Sequence, residues 1–163
     1  MIELIRTLYN YSAWANTRIL DTAAQLSAEQ FAASVGASYP SVQDTLVHTL
    51  SAQIAWLYRF QGKNAPPVLV SADFPDLATL RGRWDAVEAE TQAFVAGLDD
   101  AALNAEIRVV DRAGNTNHYI LWQIMMHQAN HATQHRSEVA AMLTQFGYSP
   151  GDLDLLDYVE MNS

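Results

Sequence analysis

An all-α fold, a four-helix bundle with a short β-hairpin just before its last long helix, is what this sequence predicts. Four long stretches place apolar residues at steps of three and four, the spacing that lines one face of a helix. Segments rich in Gly, Pro and Ser separate the first three and break the periodicity. Before the fourth, Ile107 and Val109 alternate and the turn formers Asp111 to Asn115 follow, which predicts the hairpin. With 163 residues, half of them hydrophobic, the chain has material for one core, so one domain over residues 1–163 is expected.

The first helix is expected from about Ile2 to Leu26, with Leu4, Leu8, Tyr11, Ala15, Ile19 and Ala23 in register. Ser27 to Pro40 contains Gly36 and Pro40 and reads as a connection, with a short helical turn after Ser27. Ser41 caps a second helix over Val42 to Phe60, whose stripe is Leu46, Leu50, Ile54 and Leu57 and which stops at Gly62. Pro66, Pro67 and Pro75 exclude a regular helix from Lys63 to Pro75. A third helix follows from about Leu77 to Leu98, on Leu80, Trp84, Val87, Thr91, Phe94 and Leu98. The fourth is expected from about His118 to Phe146, ending at Gly147, and the tail DLDLLDYVE forms a last turn or short helix. An up-down-down-up order of the four long helices is expected.

Composition removes several functions. The chain has no cysteine, so disulfides, thiolate metal sites and a nucleophilic thiol are excluded. A net charge of -9 with nine basic residues argues against nucleic acid and against anionic membranes as partners. The N-terminal stretch carries polar residues every few positions, unlike a signal peptide or a membrane span, and a cytoplasmic location is expected.

Chemistry then falls to the histidines. His127, His131 and His135 are spaced by four, so neighbours sit about one turn apart. Adjacent members can share an ion. The outer two cannot, because eight residues rise about 12 Å and metal–nitrogen bonds are about 2.1 Å. His131 and His135 share the sector of Ile120, Ile124 and Met142, which favours them as the pair and leaves His127 as a supporting donor or a polar core residue. The plainer reading is that each imidazole bonds a backbone carbonyl or Glu138. His48 lies on the side of its helix carrying Asp44, Ser51, Ala52 and Ala55, nearly opposite the apolar stripe; amphipathicity alone puts it outside, although small neighbours allow a cleft there. His118 reads as a surface or capping residue. Trp14, Trp56, Trp84 and Trp122 read as core before pocket.

Five segments, taken in order, resemble the DinB-like family of small helical metalloproteins. They are Tyr11 to Asn16 (YSAWAN), Ser41 to His48 (SVQDTLVH) with Ala52 and Trp56, Gly114, Asn130 to Arg136 (NHATQHR) and Gly147 to Tyr158 (GYSPGDLDLLDY). The resemblance implies a four-helix bundle with three metal-ligating histidines, which fall on His48, His131 and His135. It also implies an open divalent metal site, zinc or nickel, and a reaction of the thiol-transfer or hydrolytic kind on a small molecule, with a low-molecular-weight thiol as co-substrate. The Gly-Gln usual after His-Arg is replaced by Ser137 and Glu138. That makes Glu138 the candidate catalytic group, as general base or as the residue orienting His135 or His131; the simpler role is an ion pair with Arg136. The rival functional class is a non-catalytic, stress-associated metal-binding bundle that pairs as a homodimer.

Overall fold

The computed structural model describes residues 1–36, 38–111 and 113–162. The element order is α1 (Ile2–Ala23), α2 (Ala28–Ala32), α3 (Val42–Phe60), a 3-10 turn (Ser71–Asp73), α4 (Leu77–Ala96), α5 (Asp100–Leu103), β1 (Glu106–Val110), β2 (Thr116–Ile120), α6 (Leu121–Gln145) and α7 (Leu155–Met161). The expected bundle and hairpin are both present.

Two apolar clusters fix the direction of each long helix. At one end Ile5 and Tyr9 of α1 pack with Leu57 and Phe60 of α3, Val95 of α4, and Leu121 and Met125 of α6. At the other, Ile19 and Leu20 meet Val42 and Leu46, Leu80 and Trp84, and Val139 and Met142. Thus α1 and α6 run one way and α3 and α4 the other, the up-down-down-up order. Each of α1 and α3 packs against both α4 and α6.

Because α3 and α4 are parallel, residues 61–76 must return along the whole bundle. As the prolines predict, this crossover has no regular α-helix, only the 3-10 turn at Ser71–Asp73, and hydrogen bonds pin it against α3. The Leu69 amide donates to Ser51 Oγ at 3.0 Å. The Gln43 amide donates to the carbonyls of Ser71, at 3.3 Å, and Phe74, at 2.8 Å. The Ser71 hydroxyl bonds Asp44. As a result α3 is covered on more than one side, with polar Thr45, Thr49 and Gln53 buried beside its apolar stripe.

Helix ends follow local chemistry. Ser41 Oγ accepts from the Asp44 amide, and Ser27 forms a reciprocal capping box with Gln30. Gly62, at φ 69°, ends α3 in a left-handed turn in which the Lys63 amide donates to the Tyr58 carbonyl at 3.0 Å. Several boundaries differ from expectation. α1 stops at Ala23, before Leu26, and α4 stops at Ala96, after which Asp99 caps the short α5 that periodicity did not indicate. α6 begins at Leu121 instead of His118, because residues 116–120 are paired with 106–110. Arg112 of the expected turn lies outside the described residues. Asp111 holds the turn, its carboxylate accepting from the amides of Ala113 and Asn115 and from the Asn115 side chain.

The tail closes on α1. Tyr11 donates its hydroxyl to the Leu153 carbonyl at 2.7 Å, Arg18 donates to the Pro150 carbonyl at 2.9 Å, and Tyr158 of α7 packs on the rings of Tyr11 and Trp14. Buried Arg136 ties α6 to α1, bonding Asn16 Oδ1 at 3.2 Å and lying 5.3 Å from the Tyr11 ring. Trp84 is in the core, while Trp14, Trp56 and Trp122 are half-buried. Among the described residues no helix is long and apolar enough to cross a membrane.

The burial pattern sets a contrast in stability. Leu50 is fully buried at the centre of α3, so Leu50→Ala is predicted to cost about 2–5 kcal/mol in urea unfolding. Leu156 on α7 is 72% exposed, and Leu156→Ala is predicted to stay within about 0.5 kcal/mol of wild type.

Candidate metal centre

Antiparallel α3 and α6 lie side by side, and their facing surfaces bring three of the five histidines together. His48 projects from α3, and His131 and His135 from successive turns of α6. Each offers a nitrogen, and the three nitrogens lie within 4.8 Å of one another. Nε2 of His48 and Nε2 of His131 approach to 3.2 Å. The ring centroids are 5.1 Å apart for His48 and His131, 4.7 Å for His48 and His135, and 4.5 Å for His131 and His135. Donors bound to one tetrahedral ion at about 2.1 Å stand about 3.4 Å apart, so the cluster is close to the size such an ion requires. His48 and His131 are half-buried and His135 is buried.

In two of the three rings the outer nitrogen is already engaged. His135 Nδ1 lies 2.8 Å from Glu138 Oε2. An ionised carboxylate only accepts, so Nδ1 donates and Nε2 is the nitrogen of this ring that could ligate an ion. Burial works against ionisation of Glu138, but hydrogen bonds from Ser38 and His135 hold its pKa below the usual carboxylate value. The Ser38 hydroxyl donates to Glu138 Oε1 at 2.6 Å. His48 Nδ1 is 2.7 Å from the Tyr39 hydroxyl, and the two rings stack with centroids 4.2 Å apart. Such outer hydrogen bonds fix ring orientation and tautomer in metal sites.

Burial, and then the neighbouring imidazoles of His135, His48 and His127, push the pKa of His131 down to about 4, with Glu138 opposing. A neutral His131 near pH 7 is the form able to donate a lone pair to a cation. Three imidazole nitrogens within 4.8 Å of one another suit a divalent ion of intermediate softness.

Ser38 and Tyr39 were not singled out from sequence. They belong to the segment before α3, where the amides of Val35 and Gly36 both donate to the Pro40 carbonyl at 2.9 Å. A Cβ on Gly36 would lie 2.0 Å from the Tyr39 carbonyl oxygen, so only glycine allows this tight approach. The fold of that segment is what sets Tyr39 against His48.

The remaining histidines stand apart. His127 is exposed, which corrects its reading as a polar core residue; its ring sits edge-on to Trp56 at 4.9 Å and 6.3 Å from the ring of His131. His118 is exposed on β2, with Nδ1 3.0 Å from Glu106. Arg136, the simpler partner considered for Glu138, bonds Asn16 and Thr133.

This arrangement coincides with what the chain is similar to. The DinB family model matches residues 1–162. The chain belongs to the DinB family. A relative, Protein DinB of Bacillus subtilis (strain 168), is 25% identical, over 99% of this chain and 96% of its own length. Family membership and the three-histidine cluster are together compatible with metal binding.

The depressed pKa of His131 has a consequence for the metal-free protein. Its folded value, about 4, lies below the ordinary 6.5, so the unfolded chain takes up the proton first. The group therefore contributes stability above pH 6.5 that is lost as the pH falls towards 4. After EDTA treatment, the urea midpoint is predicted to drop over that window, and to drop less in His131→Gln. Equal slopes for the two proteins would contradict the assignment.

Proposed function

We propose that this protein is a divalent-metal-dependent enzyme acting on a small molecule, with His48, His131 and His135 as its metal ligands. The observation that carries the reading is the convergence of three imidazole nitrogens within 4.8 Å, two of them backed by Glu138 and Tyr39. Among the described residues the cluster has three imidazole donors and no carboxylate, so an ion there would keep at least one open position, the mark of a catalytic site over a closed structural one.

A zinc or nickel ion so held would ionise a bound thiol or water near neutral pH. The reaction class proposed is transfer of a low-molecular-weight thiol to an electrophile, with hydrolysis as the related alternative. It rests on family analogy, whereas the ligand set rests on this chain's residues. Within that reading Glu138 holds the His135 proton on Nδ1, and both its oxygens are occupied. That engagement favours an orienting role for Glu138 over that of a free general base. Tyr39 stacks on His48 and fixes its ring plane, and Ser38 in turn fixes Glu138.

His48→Ala, His131→Ala and His135→Ala are each predicted to strip most of the metal from the purified untagged protein, measured by elemental analysis, while His127→Ala retains most of it. Glu138→Gln is predicted to weaken metal affinity by about 10- to 100-fold in a competition titration without emptying the site. Circular dichroism confirms that each variant is folded. Retention by folded His135→Ala would overturn the ligand set.

A further inference from the structure

A pocket of about 310 Å³, within the size range of small-molecule sites, is lined on α3 by Ser51, Ala55 and Arg59, and Ser51 and Ala55 follow His48 by three and seven residues, the spacing of one helix face. Ser51 and Ala55 of α3 form its floor, Asn64 and Pro66 of the crossover one wall, and Arg108 of β1 another, with Arg59 of α3 also lining it. Ser51 is one turn beyond His48 and Arg59 about 16 Å along the axis, so the pocket leads away from the three-histidine cluster and reaches two guanidinium groups.

Two of nine basic residues in a chain of net charge -9 lining one cavity is a local reversal of sign. Arg59 also lies over the Trp56 ring, 4.7 Å from its centroid, and Arg108 donates to Thr116 Oγ1 at 3.2 Å, which hold both side chains in place. Asp111 borders the same pocket, but its carboxylate oxygens are turned to the hairpin amides and Asn115. Guanidinium pairs match carboxylate and phosphate oxygens.

We propose that Arg59 and Arg108 bind the anionic end, carboxylate or phosphate, of the small molecule whose reacting group reaches the three-histidine centre. The last clause rests on the function proposed above; the anion site itself does not. The substrate class is thus an elongated anionic molecule, and in the thiol reading an anionic thiol.

Two measurements test it. Succinate and inorganic phosphate, titrated separately into the metal-free protein, are expected to give saturable amide shifts at Ser51, Arg59, Asn64 and Arg108, and the tighter ligand distinguishes carboxylate from phosphate. Arg108→Gln, at an exposed strand position, is expected to weaken binding about tenfold, the loss of one charge-assisted contact, and neutral succinamide is expected not to bind. Shifts located elsewhere, or affinity unchanged in Arg108→Gln, overturn the site. In cobalt-substituted protein, glutathione is expected to bind more tightly than its diethyl ester, read by the sulfur-to-cobalt absorption band, with the preference lost in Arg59→Gln/Arg108→Gln. Equal binding of acid and ester overturns the link between the sites and leaves the metal reading intact. Absence of any thiol band counts against the thiol chemistry, and the anion titration then decides the arginine site by itself.

Discussion

The structure turns on one constraint: imidazoles from two antiparallel helices are held with nitrogens 3.2 Å apart in a half-buried position. Buried polar groups are costly unless they are satisfied. Here the cost is offset at two of the three rings, where His135 Nδ1 bonds Glu138, itself held by Ser38, and His48 Nδ1 bonds Tyr39. The three candidate ligand nitrogens lie within 4.8 Å of one another, a spacing compatible with one divalent cation.

Bundle topology serves this arrangement. Because α3 and α4 run parallel, the crossover at residues 61–76 has to lie along α3, and its Asn64 and Pro66 supply one wall of the arginine-lined pocket. The β1–β2 hairpin supplies another wall. Arg136, next to His135 in sequence, is rotated about 100° around α6 and joins it to Asn16 and Tyr11 of α1. Neighbouring residues of the run NHATQHR therefore separate into a face that builds the centre and a face that anchors the helix.

Much of this was legible in the sequence, and unevenly so. Helical periodicity located the four long helices, and the turn residues located the hairpin. The i, i+4 spacing drew attention to His127, His131 and His135, and the sector shared with Ile120, Ile124 and Met142 favoured the last two, which the structure does bring together. His48 was harder, because a single-face model applies to a helix with one buried side, and α3 is flanked by α4, α6 and the crossover; its small Ser51 and Ala55 were the available signal. Glu138 was visible as an acid one turn past His135. Ser38 and Tyr39 left no signal in periodicity, since their contacts with Glu138 and His48 depend on the tight turn at Gly36 and on the approach of separate segments. His127 was placed at the edge of the buried sector by angle alone; the angle could not say that Trp56 would cover one side of its ring and solvent the other.

The central claim is that His48, His131 and His135 meet on one ion, and X-ray absorption at the metal edge of the zinc- or nickel-loaded protein tests it most directly. The account predicts three imidazole nitrogens at about 2.0–2.1 Å, with the remaining coordination supplied by exchangeable oxygen or by an added thiol. A spectrum showing only oxygen neighbours, or unchanged imidazole scattering in a folded His48→Ala protein, would contradict it.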